Sequence, residues 1–270
     1  MEIVKRLSVI IITHNEAENI RDCLRSVAFA DERIVLDSGS TDNTVELACA
    51  EGARVESNPD WPGFGPQKNR ALEMATGDWV LSLDADERVP PELAEEIISA
   101  LNADTQVCAY EIPRLSSFCG KFIRYSGWWP DMVLRLFKRD RARFTDVAVH
   151  ERVICDGPMA RLSTPLLHYT YPDLASAISK MNRYSSDAAE MMYAKGRRSG
   201  LGSALIHSTW TFLRIYFMRR GFLDGGHGLV LAILAAMGSF TRYAKLAFLS
   251  KGLPPRPVVN PGDLPRIKRK

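Results

Sequence analysis

The sequence has few cysteines, and their spacing is not that of a disulfide framework or a metal site. Its 270 residues include five cysteines, none of them in a C-x-x-C pair. This excludes a disulfide-rich secreted domain and a cysteine-based zinc site, and it favours a reducing compartment. Residues 1–6 show no signal-peptide pattern and lead straight into a predicted strand. We therefore expect a cytoplasmic location.

Disorder signals, repeats and long apolar runs are also scarce. With 46% hydrophobic and 25% charged residues, the chain is neither disordered, collagen-like nor coiled coil. The apolar run over 228–240 has 13 residues before Arg242, fewer than the roughly 20 that a transmembrane helix needs. This length predicts a helix that does not span a membrane.

Acidic residues are scarce in the last part of the chain. Residues 197–270 contain 13 Lys and Arg but only two acids, so the net charges are +11 there and −8 in residues 1–196. This asymmetry predicts an anionic partner, either nucleic acid or a membrane surface. No zinc-finger spacing or helix-turn-helix pattern is present, whereas aromatic residues in 210–217 precede Arg219 and Arg220. We therefore expect peripheral contact with an anionic membrane and no nucleic acid.

Strand and helix patterns alternate over the first hundred residues. Short apolar runs predict strands at 7–12, 33–36, 53–57 and 79–83, with helices at 13–28, 42–51, 66–75 and 91–101. The first of these helices begins in a predicted capping box, Thr13 to Glu16. Such alternation is typical of an α/β fold with a doubly wound, mostly parallel sheet.

After residue 103 the pattern changes. Further strands are predicted at 107–114, 132–138 and 143–154, and helices near 173–195, 201–220 and 227–250. We therefore expect a first domain over 1–172, in which residues 1–103 form the parallel half and residues 104–172 form a mixed-strand extension. A basic helical region over 173–251 and a flexible basic tail over 252–270 follow.

Polar clusters follow three of the predicted strands, where open parallel sheets bind ligands. Asp84-Ala85-Asp86 places two carboxylates that a divalent cation bridging two phosphates would suit, although a solvated acidic turn has the same residues. Asp37 either caps the next helix or accepts a hydrogen bond from a nucleoside. Lys68 either lies on a solvated helix face or offsets diphosphate charge.

In this order, these segments resemble the family 2 glycosyltransferases of the GT-A fold. The similar segments are Val9 to Glu16, Asp37 to Asp42, Lys68-Asn69 and Gly77 to Asp86. The resemblance implies that Thr13, Asn15, Glu16 and Asp37 hold the uridine of a UDP-sugar and that Lys68 lies near the nucleotide. It implies that Asp84 contacts the ribose and that Asp86 binds Mg²⁺ or Mn²⁺ on the diphosphate. Many members have two adjacent acids where this chain has Asp37-Ser38.

The second half resembles bacterial lipopolysaccharide inner-core glucosyltransferases. The similar segments are 128–130, 134–137, 149–151, 167–169 and 221–228. His150-Glu151 is either a surface salt link or an acid/base pair, and the resemblance implies that Glu151 is the base that deprotonates the acceptor. His168 is either a core histidine or, as the resemblance implies, a residue that completes the metal or diphosphate site.

The resemblance implies that residues 1–172 are a catalytic domain, with a nucleotide-sugar half (1–103) and an acceptor half (104–172). It further implies an inverting transfer of a hexose, glucose from UDP-glucose, to a lipid-linked lipopolysaccharide core such as lipid A-core. The enzyme would act on the cytoplasmic face of the bacterial inner membrane. One alternative is a family 2 transferase that acts on polyprenyl phosphate or on another glycan or protein acceptor. Alternatives from other classes are a nucleotidyltransferase, which would release pyrophosphate instead of UDP, and a saccharide-binding module without catalysis.

Overall fold

The computed structural model describes residues 5–103, 105–146 and 152–252, which form two compact units. One unit extends to Asp173 and the other begins at Leu174. The first contains a ten-stranded sheet, a two-stranded ribbon and helices, whereas the second is helical.

The parallel half of the sheet is built from residues 7–84. Its strands are β1 (Leu7–Thr13), β2 (Glu32–Asp37), β3 (Arg54–Ser57) and β4 (Trp79–Asp84), and the connecting helices are α1 (Ile20–Ser26), α2 (Thr44–Ala50) and α3 (Phe64–Met74). β1 pairs in parallel with β2 on one side and β4 on the other. Four apolar residues of β1, Leu7, Val9, Ile10 and Ile11, are at most 2% exposed, which explains why this strand is a nearly continuous apolar run.

The mixed extension continues the same sheet. Its elements are β5 (Glu87–Arg88), α4 (Pro91–Asn102), β6 (Ala109–Phe118), β7 (Lys121–Phe122), β8 (Asp131–Lys138), β9 (Ala142–Phe144), β10 (Val153–Cys155), β11 (Met159–Arg161) and β12 (Leu166–Tyr171). The strand order is β3-β2-β1-β4-β8-β6-β12-β5, with β7 and β11 also on β6. β8 is antiparallel to both β4 and β6, and β12 is parallel to β6.

β5, the last strand in this order, lies close to the end of β4 along the chain. β5 begins only three residues after β4 ends, yet it pairs with β12. β12 therefore lies beside the turn between Asp84 and Glu87, with His168 opposite Glu87. The predicted fold class is confirmed: an α/β fold with a doubly wound, mostly parallel sheet, a mixed-strand extension and C-terminal helices.

Two local predictions are wrong. Thr13 does not open a capping box, because it is still part of β1 and pairs with Asp37, and α1 begins only at Ile20. The Glu16 carboxylate instead accepts a hydrogen bond from Asn19 Nδ2 at 2.9 Å. Residues 143–154 do not form one strand, because β9 and β10 pair with each other in an antiparallel ribbon.

The second unit is helical throughout the part that the structure describes. It contains α5 (Leu174–Ala194), α6 (Leu201–Leu213) and α7 (Gly226–Ser250), with a π-helical turn at Arg214–Met218 and a 3-10 turn at Gly221–Asp224. α5 and α6 both pack along α7. Near its start, α7 approaches the 3-10 turn so closely that a Cβ on Gly228 would lie 1.8 Å from the carbonyl oxygen of Gly221.

α7 is longer than its apolar run, so its length gives no support to the expectation that it does not span a membrane, and that expectation stays a prediction. The run ends before Arg242, but the helix continues to Ser250 and has 25 residues, with a mean hydropathy of 1.3 over its apolar window. By length and composition alone, α7 is able to cross a membrane, although core helices of soluble proteins pass the same test. One of its charges, Lys245, is hydrogen-bonded to α5 through Asn182, Ser185 and Ser186.

Candidate active site

The three polar clusters lie together at the carboxyl edge of the parallel strands. Thr13 at the end of β1 pairs with Asp37 at the end of β2. On the other side of β1, Ile12 pairs with Asp84 at the end of β4. Because the three strands are adjacent and parallel, the residues that follow them share one edge of the sheet.

The loops after β1 and β2 are joined by hydrogen bonds. The backbone N–H of Asn15 donates to Ser40 Oγ at 2.8 Å, and Asn15 Oδ1 accepts from the N–H of Thr41 at 2.8 Å. Asn15 has a φ of +56°, a left-handed conformation that asparagine tolerates better than most residues. The Thr13 hydroxyl is buried and has no hydrogen-bond partner among the described residues.

Asp37 is engaged by its own loop. Its Oδ2 accepts the backbone N–H groups of Gly39 at 3.0 Å and Ser40 at 2.9 Å, and its Oδ1 accepts the Ser40 hydroxyl at 2.5 Å. The residue is 1% exposed. Its carboxylate shapes the loop after β2, and a direct contact with a ligand requires this loop to move.

Glu16 is half-buried close to other carboxylates. Burial raises the pKa of its carboxyl group, and the negative charges of Asp86 and Asp42 raise it further, whereas the hydrogen bond from Asn19 opposes the shift. Glu16 is therefore close enough to Asp86 for their charges to interact at this edge, and it gives up its proton less readily than an ordinary glutamate.

Asp84 is held between two cations. Lys68 Nζ on α3 lies 3.1 Å from Asp84 Oδ1, and Arg135 Nη2 on β8 contacts Asp84 Oδ2. Burial acts to raise the pKa of Asp84, but the charges of Arg135 and Lys68 outweigh it and hold this pKa below its ordinary value. Asp84 is thus ionised and paired on both oxygens, so it is a poor candidate for a metal ligand. The Lys68 side chain is 5% exposed and does not lie on a solvated helix face.

Asp86 faces His168. His168 Nε2 lies 3.3 Å from Asp86 Oδ2, while Nδ1 is 2.9 Å from Ser116 Oγ on β6. The backbone N–H of Tyr169 donates to the carbonyl oxygen of Asp86 at 2.9 Å, which fixes β12 against the turn. His168 is therefore an oriented partner of Asp86 and not an isolated core histidine, while its part in a metal or diphosphate site stays a prediction.

These two side chains suit a divalent cation whose other ligands come from elsewhere. Within the ranges that the structure describes, no three His, Cys, Asp or Glu residues are grouped to hold a metal ion. A carboxylate and an imidazole supply two ligands and leave several coordination positions of a divalent cation open. Cations that also bind phosphate oxygens and water suit such a site. The acid-imidazole pair fits a cation shared with a substrate better than a purely structural metal site.

His150 and Glu151 lie outside the described residues. Asn69 on α3 is hydrogen-bonded to residues that precede them, and Thr145 before them is hydrogen-bonded to Arg152 after them. Asn69 Oδ1 accepts the N–H of Phe144 at 2.9 Å, Asn69 Nδ2 donates to Asp146 Oδ1 at 3.2 Å, and the N–H of Thr145 donates to the carbonyl oxygen of Arg152 at 2.9 Å. Asn69 is the neighbour of Lys68, so the residues before this segment are anchored to the helix that carries Lys68, and Arg152 after it is bonded to Thr145.

Three residues of the site were not identified from the sequence: Glu87, Ser116 and Arg135. Arg135 was detectable in principle, because it interrupts the apolar strand pattern Val133-Leu134-Arg135-Leu136-Phe137, where an unpaired charge is costly. Ser116 gave no such signal, since its role depends on the pairing of β6 with β12.

Comparison with known proteins adds independent information. The family described as Glycosyl transferase family 2 matches residues 8–161. An uncharacterized glycosyltransferase of Rickettsia typhi is 33% identical over 92% of this chain and 88% of its own length. The lipopolysaccharide core biosynthesis glycosyltransferase LpsC of Rhizobium meliloti is 30% identical over 88% of this chain and 93% of its own length.

Among solved structures, similarity is partial. Glucosyl-3-phosphoglycerate synthase of Mycobacterium tuberculosis, solved with Mn²⁺, UDP and glucosyl-3-phosphoglycerate, is 32% identical over 43% of this chain with a TM-score of 0.36. The match covers 45% of that protein's chain.

Proposed function

The chain belongs to glycosyl transferase family 2, and from that premise we propose that it transfers glucose from UDP-glucose to a lipid-linked lipopolysaccharide core saccharide. The proposed reaction inverts the anomeric carbon and depends on a divalent cation. The observation that carries this proposal is the Asp86–His168 pair at the carboxyl edge of the sheet, beside Asp84 with its two cations.

In this proposal Asp86 and His168 would hold Mg²⁺ or Mn²⁺. When bound, the cation would supply electrostatic stabilisation of the negative charge on the departing UDP. The imidazole nitrogen favours Mn²⁺ over Mg²⁺, because Mg²⁺ prefers oxygen ligands only. Ser116 fixes the orientation of the His168 ring through Nδ1, so that Nε2 points toward Asp86.

The joined loops after β1 and β2 are the proposed uridine site, formed by Thr13, Asn15, Glu16 and Asp37. Asn15 is exposed and offers an amide nitrogen to a ligand, whereas the Thr13 hydroxyl is buried in the described structure. Asp37 contributes by shaping the loop. Asp84 ends the neighbouring strand β4 and is paired with Lys68, and we propose that the ribose and diphosphate bind beside this pair.

The proposed acid/base chemistry falls to Glu151, with His150 beside it. As the acceptor hydroxyl oxygen forms a bond to the anomeric carbon, Glu151 takes the hydroxyl proton and the bond from that carbon to the diphosphate oxygen breaks. UDP leaves with the electron pair of the broken bond. Attack from the opposite face converts an α-linked donor into a β-linked product.

The relationship to LpsC supports a lipopolysaccharide core acceptor. A polyprenyl phosphate acceptor is the main alternative within the family, and it differs chemically because a phosphate is already anionic and needs no base.

To test the proposal, purified protein is incubated with a panel of nucleotide sugars and either lipid-linked core saccharide or polyprenyl phosphate. Transfer of glucose to the core saccharide supports the proposal, whereas transfer only to polyprenyl phosphate contradicts it. Release of pyrophosphate instead of UDP would identify a nucleotidyltransferase.

We also propose that the helical unit binds the cytoplasmic face of the bacterial inner membrane peripherally. One face of α6 and the following π-helical turn has large apolar residues that are 42–71% exposed: Leu205, Ile206, Trp210, Leu213 and Phe217. Arg214, Arg219 and Arg220 are exposed at the same end, and residues 174–252 carry eleven Lys and Arg against three acids. This combination matches the apolar interior and anionic headgroups of a bilayer surface.

Flotation with liposomes tests this membrane proposal. Each Lys or Arg near an anionic surface contributes about 1 kcal/mol, so we expect full-length protein to float with anionic liposomes and to be released partly by salt. A W210S/F217S/R219Q/R220Q variant should lose this binding, whereas an R161Q variant in the first unit should keep it. Failure of the full-length protein to bind at low salt contradicts the proposal. Retention after carbonate washing of bacterial membranes would instead indicate that α7 spans the bilayer.

A further inference from the structure

Arg135 connects the two ends of the turn that carries Asp86. Its Nη2 lies 2.6 Å from Oε1 of Glu87 and also contacts the carboxylate of Asp84. Asp84 is the last residue of β4 and Glu87 is the first residue of β5. A single guanidinium nitrogen from β8 therefore contacts the residues on either side of the Ala85-Asp86 step.

Glu87 closes the same turn from within. Its side chain is fully buried, and its Oε2 accepts the backbone N–H of Asp84 at 3.0 Å. Its Oε1 is shared between Arg135 and Arg114 Nη1, which lies 3.4 Å away, and Arg114 is itself paired with Asp131 at 2.6 Å. A fully buried carboxylate persists only when it is paired and hydrogen-bonded, so the shape of the turn depends on these cations.

The sheet itself has no need for an arginine at this position. The next two residues of β8, Leu136 and Phe137, are fully buried in the core. The Nε of Arg135 is buried and has no hydrogen-bond partner within the described ranges. An apolar side chain would avoid both the buried charge and the unpaired donor. The contribution of Arg135 is therefore to the turn and not to the packing of the strand.

We propose that Arg135 is a positioning residue for the cation site: it contacts Asp84 and Glu87 together and so fixes the turn that presents Asp86 to His168. This inference rests on the proposed function of Asp86 and His168. It also explains why the surroundings of the two aspartates differ. Arg135 and Lys68 pair with the carboxylate oxygens of Asp84, whereas the carboxylate of Asp86 faces His168.

The test measures Mn²⁺ binding to the protein-UDP complex by electron paramagnetic resonance of free Mn²⁺, and UDP binding without metal by calorimetry. In R135M we expect Mn²⁺ affinity to fall by about 10–100-fold, the usual effect of removing a residue that orients metal ligands, with metal-free UDP affinity unchanged. R135K, which keeps the charge, should restore part of the loss. R139M is the matched control: Arg139 directly follows β8, and its Nε donates to the Gly77 carbonyl oxygen at 2.9 Å.

If R135M does not fold, a double variant that removes a positive and a negative charge together still tests the role of Arg135. E87Q/R135M removes one carboxylate and one cation, which folded proteins tolerate better than a single unpaired charge, and it should also lose Mn²⁺ affinity. Wild-type Mn²⁺ affinity in a folded R135M or E87Q/R135M overturns the role of Arg135. If neither folds, R135K decides, and wild-type affinity there overturns it. Absence of Mn²⁺ binding to the wild-type complex overturns the proposed cation site as well.

Discussion

Replacing Ser116 with alanine tests whether His168 is an oriented metal ligand. The Ser116 hydroxyl is 2.9 Å from His168 Nδ1 and belongs to a buried residue. With the ring proton on Nδ1 donated to Ser116, Nε2 keeps a free lone pair for a cation. Removal of the hydroxyl leaves Nδ1 unpaired, at a cost of about 1–3 kcal/mol. If this cost falls on the cation-bound state, Mn²⁺ affinity drops roughly 5- to 150-fold.

A Mn²⁺ titration of the UDP complex, followed by electron paramagnetic resonance, measures this effect in S116A. The matched control is S117A, because Ser117 is also buried on β6 and successive strand residues point to opposite faces. We expect S117A to keep wild-type affinity. Equal Mn²⁺ affinities in wild type, S116A and S117A would refute the reasoning, and so would equal losses in both variants.

Three further outcomes are expected. G228A should lower the melting temperature strongly, because a Cβ there would lie 1.8 Å from the Gly221 carbonyl oxygen, whereas G202A, with open space around it in the described structure, should not. E151Q should lower kcat by about 10²–10⁴-fold with UDP-sugar binding nearly unchanged, and a matching loss of binding would place Glu151 in the donor site. Burial raises the pKa of Glu96, but hydrogen bonds from the loop before β12 lower it below 4.5 overall. Its contribution to stability is therefore present above about pH 4.5 and lost as pH falls through the folded-state pKa, so E96Q should be less sensitive to acid in denaturation curves.

The parallel half of the fold could be predicted because its signals are local. The apolar run of β1 and the alternation of strands and helices follow directly from burial on both faces of a parallel sheet. The order of the later strands could not be predicted, because the insertion of β8 between β4 and β6 depends on contacts between distant residues. The capping box failed for a similar reason: pairing with Asp37 holds Thr13 in the strand.

In the candidate site too, local sequence signals could be recognised, whereas contacts between distant residues could not. Asp84 and Asp86 were identified from their position after an apolar strand, but their sequence spacing does not distinguish their surroundings. Arg135, 51 residues from Asp84, pairs with it, while His168 faces Asp86 because β5 pairs with β12. These distant contacts separate an aspartate held by two cations from one that faces a potential metal ligand.

A comparison of wild type with D86A tests whether glucose transfer requires a cation bound at Asp86. Wild type and D86A, each shown to be folded by circular dichroism, are incubated with UDP-glucose and lipid-linked core saccharide, with Mn²⁺ or with EDTA. UDP release and the glycosylated product are quantified together. We expect β-linked product and equimolar UDP only for wild type with Mn²⁺. Product formation by D86A at the wild-type rate, or by wild type in EDTA, would contradict it.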